Sequence, residues 1–146
     1  PKDWEGGYPN VWLGVSAEDA TWWNRRVPEL LSVPAQVRFV SYEPALGSIA
    51  GCSAAGIDWV IIGGESGPDA RDFDIGWAHT AIEICERDGA KPFLKQLGAR
   101  PTKEIAVDDD SFGTQLVRIR LKDSHGGEES EWPEWLRNKR HFPVTK

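Results

Sequence analysis

Polar or ionisable side chains follow four apolar runs of this 146-residue sequence, and they are the first candidates for chemistry. They are Ser16, Glu18, Ser41, Glu43, Glu65, Ser66, Lys95 and Gln96. In parallel βα architectures, the carboxyl ends of the strands and the loops that follow them form the working surface. The sequence therefore predicts one polar site, with Glu43, Glu65 and Lys95 as its catalytic candidates.

Glu65 is the foremost candidate because it lies in a glycine-rich segment, Gly63-Gly64-Glu65-Ser66-Gly67. Glycines let a ligand approach the backbone, while a carboxylate accepts hydrogen bonds from an amine or a hydroxyl. The residues to which we assign cofactor binding are Ser16, Ser41, Gly63, Gly64, Glu65 and Ser66. The structural alternative is that the glycines only permit a tight turn and Glu65 caps a neighbouring element.

Three other charged residues each have a functional and a structural interpretation. Lys95 could offer its charge to a phosphate or carboxylate, or it could be a surface lysine at a strand end. Arg71 could clamp an anion, or it could pair with Asp69 or Asp72. Glu43 could form a carboxylate pair with Glu65, or it could be a solvated loop residue.

The sequence contains no recognisable metal motif. Its two cysteines, Cys52 and Cys85, are far apart and in no metal-ligand spacing, so we expect no metal site and no disulfide framework. Cys85 falls on an apolar helical stripe and should behave as a small hydrophobic residue. The glycine-rich segment also lacks the spacing of a P-loop or a dinucleotide-binding turn.

The elements that would position the site alternate between strand and helix. Apolar runs predict strands at residues 11–16, 37–42, 59–62 and 92–96. We expect a first helix starting near Ser16 and kinked or broken near Asn24 by Pro28, and a second helix between Asp74 and Gly89. This alternation implies parallel pairing, and the predicted fold class is a partial parallel βα (TIM-like) barrel of about four strands.

Beyond residue 98 the pattern changes. Segments 104–107 and 115–121 predict a small antiparallel hairpin around a turn at 108–113. The tryptophan-rich tail predicts one short helix anchored by its indole rings. We therefore divide the chain into a half-barrel, residues 1–98, and a C-terminal hairpin and tail packed on it, residues 99–146.

Charge and hydropathy limit the partners. The formal net charge of -6 argues against an electrostatic grip on nucleic acid or on an anionic membrane, although a local basic groove is compatible with it. No apolar run has the length of a membrane span. We expect a cytoplasmic protein.

Several motifs in order resemble a phage and prophage protein family of unknown function whose members look like radical S-adenosylmethionine barrels. The motifs are Pro9-Asn10-Val11-Trp12-Leu13-Gly14-Val15-Ser16, Val37-Arg38-Phe39 with Glu43-Pro44, Trp59 to Gly67, Pro92-Phe93-Leu94-Lys95-Gln96, and Glu131-Trp132-Pro133-Glu134 with Leu136-Arg137. The similarity covers nearly the whole chain.

The resemblance implies an N-terminal half in which three clustered cysteines hold an iron–sulfur cluster. This chain would then be the C-terminal portion of such a protein. Alone it should bind no cofactor and perform no radical chemistry, whereas a full-length protein would use S-adenosylmethionine and the cluster. The expected partner is the missing half or a second copy of the chain.

Two other functions remain open at this stage. An incomplete barrel has open sheet edges that invite pairing, so the chain could be a non-catalytic phage interaction module. Alternatively, Glu43 and Glu65 could be the acid and nucleophile of a glycosidase-like barrel.

Overall fold

The computed structural model describes residue 4, residues 6–106 and residues 113–144. Among these residues seven strands, two α-helices and two short 3₁₀-helices are present. In chain order the strands and α-helices are β1 (Trp12–Ser16), α1 (Ala20–Ser32), β2 (Val37–Tyr42), β3 (Trp59–Gly63), β4 (Phe73–Asp74), α2 (Ile75–Asp88), β5 (Lys91–Gln96), β6 (Pro101–Ala106) and β7 (Thr114–Arg118).

The central element is a four-stranded sheet with the order β1-β2-β3-β5, in which every neighbouring pair is parallel. The predicted parallel pairing is therefore confirmed, and each predicted strand lies within one residue of an observed one at both ends. Among the described residues the sheet is open and no closed barrel forms. The register between β3 and β5 is irregular at one point: Ile62 is opposite Leu94, but Gly63 is opposite Gln96, so one residue of β5 is skipped.

Both helices cover the same face of this sheet. Helix α1 buries Trp23, Val27 and Leu30, and α2 buries a stripe that includes Ala78, Ala81, Ile82 and Cys85. These side chains share one core cluster with Val40, Tyr42, Val60, Ile62 and Leu94 of the strands. Alternation along each strand sends the intervening side chains to the opposite face, which none of the described helices covers.

The helix ends follow capping rules, with one correction. Asp74 and Gly89 cap α2 as expected: the Asp74 side chain accepts from the Gly76 N–H, and Gly89 adopts a left-handed φ of 85°. Helix α1 starts later than expected, because Asp19 is its N-cap and accepts from the Trp22 N–H.

The sequence predicts that helix α1 is kinked or broken near Asn24; the break is wrong, because α1 continues through Pro28 to Ser32, and the kink stays a prediction. Proline removes one N–H donor from the helix. The buried apolar stripe of α1, which packs against the sheet, keeps the helix continuous.

The C-terminal part forms a second sheet. The expected antiparallel hairpin is β6 with β7, and β4 adds a third, parallel strand to its edge. Because β4 precedes residue 98 and β6 follows it, this sheet spans the boundary at which the sequence was divided; the division itself stays a prediction. Of the predicted turn, residues 108–112 lie outside the described residues.

The tail contains two 3₁₀-helices, Glu129–Glu131 and Glu134–Leu136, rather than one short helix. Pro133 separates them. Trp132 is fully buried between them and donates its indole N–H to the Gly126 carbonyl at 2.9 Å, so the expected indole anchor is present. Within the described ranges, no helix has the length and apolar composition needed to cross a membrane.

Candidate functional site

Glu43 and Lys95 meet at the carboxyl ends of the parallel strands. The Lys95 Nζ lies 2.9 Å from Glu43 Oε1 and 3.2 Å from Oε2. The carboxylate lies above Gly63, where an added Cβ would be 3.1 Å from Glu43 Oε1. Gly63 thus leaves room for an ion pair that reaches from the end of β2 to β5 across β3. Glu43 is largely enclosed, with 16% of its side chain exposed, whereas Lys95 is 53% exposed.

Ser16 and Ser41 lie side by side on the same sheet face as this ion pair. They are register partners at the ends of β1 and β2, and paired residues of parallel strands project to one face. Ser41 and Glu43 are two residues apart and therefore share that face, while Tyr42 between them is fully buried on the helix side. Two hydroxyls and one ion pair consequently gather on one rim.

Glu65 pairs with Arg71, not with Glu43 as the carboxylate-pair hypothesis requires. Both of its oxygens accept from the Arg71 guanidinium at 2.8 Å, and Oε2 also accepts from the Arg71 backbone N–H at 3.0 Å. These hydrogen bonds lower the pKa of Glu65 to about 2. The alternative in which Arg71 pairs with Asp69 or Asp72 is wrong; Asp72 instead pairs with Arg100 at 2.7 Å.

The glycines around Glu65 serve close backbone packing. An added Cβ on Gly64 would lie 2.4 Å from the Leu97 carbonyl oxygen, and one on Gly98 would lie 2.5 Å from the Glu65 carbonyl oxygen. The Gly126 backbone in turn packs against Gly98. These contacts hold the loop after β3, the end of β5 and the tail together. Ser66 is exposed in this loop.

The sheet face opposite the helices, which we call the aromatic face, carries five aromatic rings of the described residues: Trp12, Phe39, Trp59, Phe93 and Phe142. Trp59 lies at the centre, with its ring centroid 5.5 to 6.1 Å from those of the other four. Trp12 is 37% exposed and Phe142 is 62% exposed. Exposed apolar rings at the rim of such a cluster make this face a candidate contact surface.

The two edges of the parallel sheet differ. Tail residues cover the β5 edge: Arg140 forms an antiparallel bridge with Phe93, and Leu94 donates to the Lys139 carbonyl. β1 pairs with β2 alone among the described strands. The β1 edge therefore offers unpaired backbone groups beside the aromatic face.

The described residues do not fit an iron–sulfur cluster. Within them no three His, Cys, Asp or Glu side chains come together in a group that could hold a metal. Cys52 and Cys85 are both buried, and burial raises the pKa of each thiol, to about 12 for Cys85. A cluster needs accessible thiolates. Any such cluster would have to be held by other residues.

Comparison with family profiles gives one assignment. The profile of DUF5131, described as a protein of unknown function, matches residues 2–130. The chain belongs to this family. Comparison with curated proteins gave no match, and comparison with solved structures gave none either.

The structure therefore brings some predicted site residues together and separates others. Ser16, Ser41, Glu43 and Lys95 share one rim, as expected from their positions at strand ends. Glu65 is committed to Arg71, and no hydrogen bond or ion pair joins it to Glu43 or Lys95 among the described residues. The catalytic and cofactor-binding roles themselves stay predictions.

Sequence reasoning missed the basic residues that line a groove beside the Glu65 loop. They are Arg100, Arg118, Arg120, Lys122 and His125. Arg118 and Arg120 alternate with apolar residues from 117 to 121, which indicates a strand but gives no sign that their side chains converge with a loop some fifty residues earlier.

Proposed function

We propose that this chain forms the C-terminal portion of a phage-type radical-SAM-like barrel and that it is not catalytically self-sufficient. The observation that carries the proposal is the parallel sheet with helices on one face and an uncovered aromatic face on the other. In a βα barrel the helices lie outside and the opposite sheet face lines the interior. A preceding half of the barrel would pair with the β1 edge and cover the aromatic face.

The strand-end residues suit the charges of the S-adenosylmethionine amino-acid group. That group carries an ammonium and a carboxylate, and the Glu43 to Lys95 ion pair presents one charge of each sign at a partly exposed rim. Glu43 would accept from the ammonium and Lys95 would donate to the carboxylate, with the hydroxyls of Ser16 and Ser41 beside them. When bound, S-adenosylmethionine supplies the carbon centre for radical chemistry.

Glu65 has a positioning role in this proposal. Its bidentate pair with Arg71 closes the loop after β3 and fixes the segment that follows Gly63 and Gly64. A carboxylate whose pKa is about 2 is a poor proton donor at neutral pH. We therefore do not assign proton transfer to Glu65, and no observation favours a glycosidase built on Glu43 and Glu65.

Anaerobic reconstitution of the full-length gene product with iron and sulfide tests the proposal. We expect a visible iron–sulfur absorption band and, after reduction, cleavage of S-adenosylmethionine to methionine and deoxyadenosine. The Glu43→Gln variant should keep the absorption band and bind S-adenosylmethionine more weakly, by about tenfold, because a charge-assisted hydrogen bond is lost. A gene product without a cysteine cluster upstream, or one that forms no cluster, would contradict the proposal.

A second candidate is a non-catalytic interaction module. The unpaired β1 edge and the exposed rings of Trp12 and Phe142 favour it. Two copies joined through β1 would extend the sheet across the interface. Sedimentation at rising concentrations tests this candidate: a dimer that Trp12→Lys weakens would support it, and a strict monomer at high concentration would exclude it.

A further inference from the structure

A basic groove lies between the Gly67–Pro68 loop and the turn at residues 121–125. Two adjoining pockets, of about 330 and 600 Å³, share Ala99, Arg118, Leu121 and Ser124 in their walls. Their combined size lies within the range of small-molecule sites. Gly98, whose backbone packs against that of Glu65, lines the first pocket, and Gly67 and Pro68 of the Glu65 loop line the second.

The lining is strongly biased towards positive charge. Five basic residues line the two pockets, against a single acidic residue, Asp123. The whole chain has the opposite balance, with a formal net charge of -6. A concentration of positive charge in an acidic protein indicates a local site for an anion rather than a general property of the surface.

Three of the five basic side chains, Arg118, Arg120 and Lys122, form no ion pair with any residue that the structure describes. Arg118 donates one guanidinium nitrogen to the Ala99 carbonyl at 3.0 Å, which orients the side chain and leaves other N–H groups available. Arg100 pairs with Asp72, and His125 lies 3.7 Å from Asp123.

The one acidic lining residue is already satisfied by the backbone. The Asp123 carboxylate accepts from the N–H groups of His125, Gly127 and Glu128, and these bonds lower the pKa of Asp123. Asp123 therefore shapes the turn that carries Lys122 and His125. Three peptide N–H groups donate to its carboxylate oxygens.

We propose that this groove binds a small phosphorylated ligand, with a phosphate group held between Arg118, Lys122 and His125. The planar guanidinium of Arg118 suits two oxygens of one phosphate, and Lys122 adds a point charge. Apart from the His125 imidazole, no aromatic ring lines the groove among the described residues, so it lacks the stacking platform of a single-stranded nucleic-acid site. The proposal is independent of the radical-SAM assignment.

Amide NMR titration of the chain with inorganic phosphate and with ADP, at constant ionic strength, tests this site. We expect saturable shifts confined to Gly67, residues 98–100 and residues 118–125, with tighter binding of ADP than of phosphate. Arg118→Gln and Lys122→Gln should each weaken binding by about tenfold or more. Arg118→Lys, which keeps the charge, should lose less affinity than Arg118→Gln.

Lys91→Gln is the matched control, because Lys91 is an exposed lysine at the start of β5, away from the groove. It should bind ADP as tightly as the unaltered chain. Lys122 is exposed, so its substitution should leave the fold intact, which unchanged amide dispersion would verify. Non-saturable shifts, equal losses in Lys91→Gln, or unaltered affinity in the Arg118 and Lys122 variants would overturn the proposal. So would tighter binding of an oligonucleotide than of ADP.

Discussion

Gly64 gives the sharpest test of how the site is built. The sequence assigns this glycine to cofactor binding, whereas the structure places its α-carbon against the neighbouring backbone. An alanine Cβ at Gly64 would lie 2.4 Å from the Leu97 carbonyl oxygen, about 1 Å inside the 3.4 Å at which ordinary contact begins. Because the obstacle is backbone, a rotamer change cannot relieve it.

The expected loss of stability follows from that overlap. Overpacking a filled site costs about 1–3 kcal/mol, and a backbone obstacle favours the upper end, so we expect about 3 kcal/mol for Gly64→Ala. Gly98→Ala should cost about 4 kcal/mol, because its Cβ would lie 2.5 Å from the Glu65 carbonyl oxygen and because a φ of +77° costs an alanine roughly a further 1–2 kcal/mol. A domain of this size is stable by about 5–15 kcal/mol, so both variants should still fold.

Urea denaturation followed by tryptophan fluorescence measures these values, since Trp23 and Trp132 are fully buried. With a slope of about 2 kcal/mol per molar, the urea midpoint should fall by about 1.5 M for Gly64→Ala and about 2 M for Gly98→Ala. Gly47→Ala is the control, because its Cβ would meet only Asp19 Cβ at an ordinary 3.4 Å. If Gly64→Ala kept the midpoint of the unaltered chain, the packing account of this loop would be refuted.

Three further predictions concern individual side chains. A double-mutant cycle with Glu43→Gln and Lys95→Gln should give a coupling of about 0.5–1 kcal/mol, because Lys95 is half exposed; a value of zero would show that the pair does not form. The Glu65 to Arg71 pair should stabilise the fold fully above pH 4.5, and this contribution should disappear as the pH falls towards about 2, because the folded pKa of Glu65 is the lower one. Glu65→Gln should abolish that part of the pH dependence of urea midpoints, and an unchanged slope would count against it. Thr102→Val should raise stability by about 1 kcal/mol, since the buried Thr102 hydroxyl has no partner among the described residues, and a lower midpoint would show that the hydroxyl is satisfied.

The sequence contains enough information to predict the four strands of the parallel sheet but not strand β4 of the second sheet. Trp59-Val60-Ile61-Ile62 is a short apolar run between turn residues, and such a run has few alternatives to a buried strand. Strand β4 has two residues, Phe73 and Asp74, and its pairing with β6 depends on where the chain returns after β5. A segment of two residues carries no periodicity, so sequence reasoning could not find it.

The sequence likewise predicts part of the candidate site but not the contacts that depend on the path of a loop. Strand-end position was sufficient to place Ser16, Ser41, Glu43 and Lys95 on one rim, because parallel strands bring their carboxyl ends to one edge. The partner of Arg71 depends on the path of the loop between Glu65 and Phe73, which sequence spacing does not fix. Sequence spacing favours the nearer aspartates, Asp69 and Asp72, whereas Glu65 is the actual partner.

We propose that the aromatic face lines the interior of a larger barrel. Hydroxyl-radical footprinting of this chain and of the full-length gene product tests it most directly, with oxidation of individual rings measured by mass spectrometry. The account predicts that Trp12 and Phe142 are oxidised in this chain and protected in the full-length protein, while Trp135, which is 46% exposed and lies against α2, reacts equally in both. Equal oxidation of Trp12 and Phe142 in the two proteins would contradict the claim.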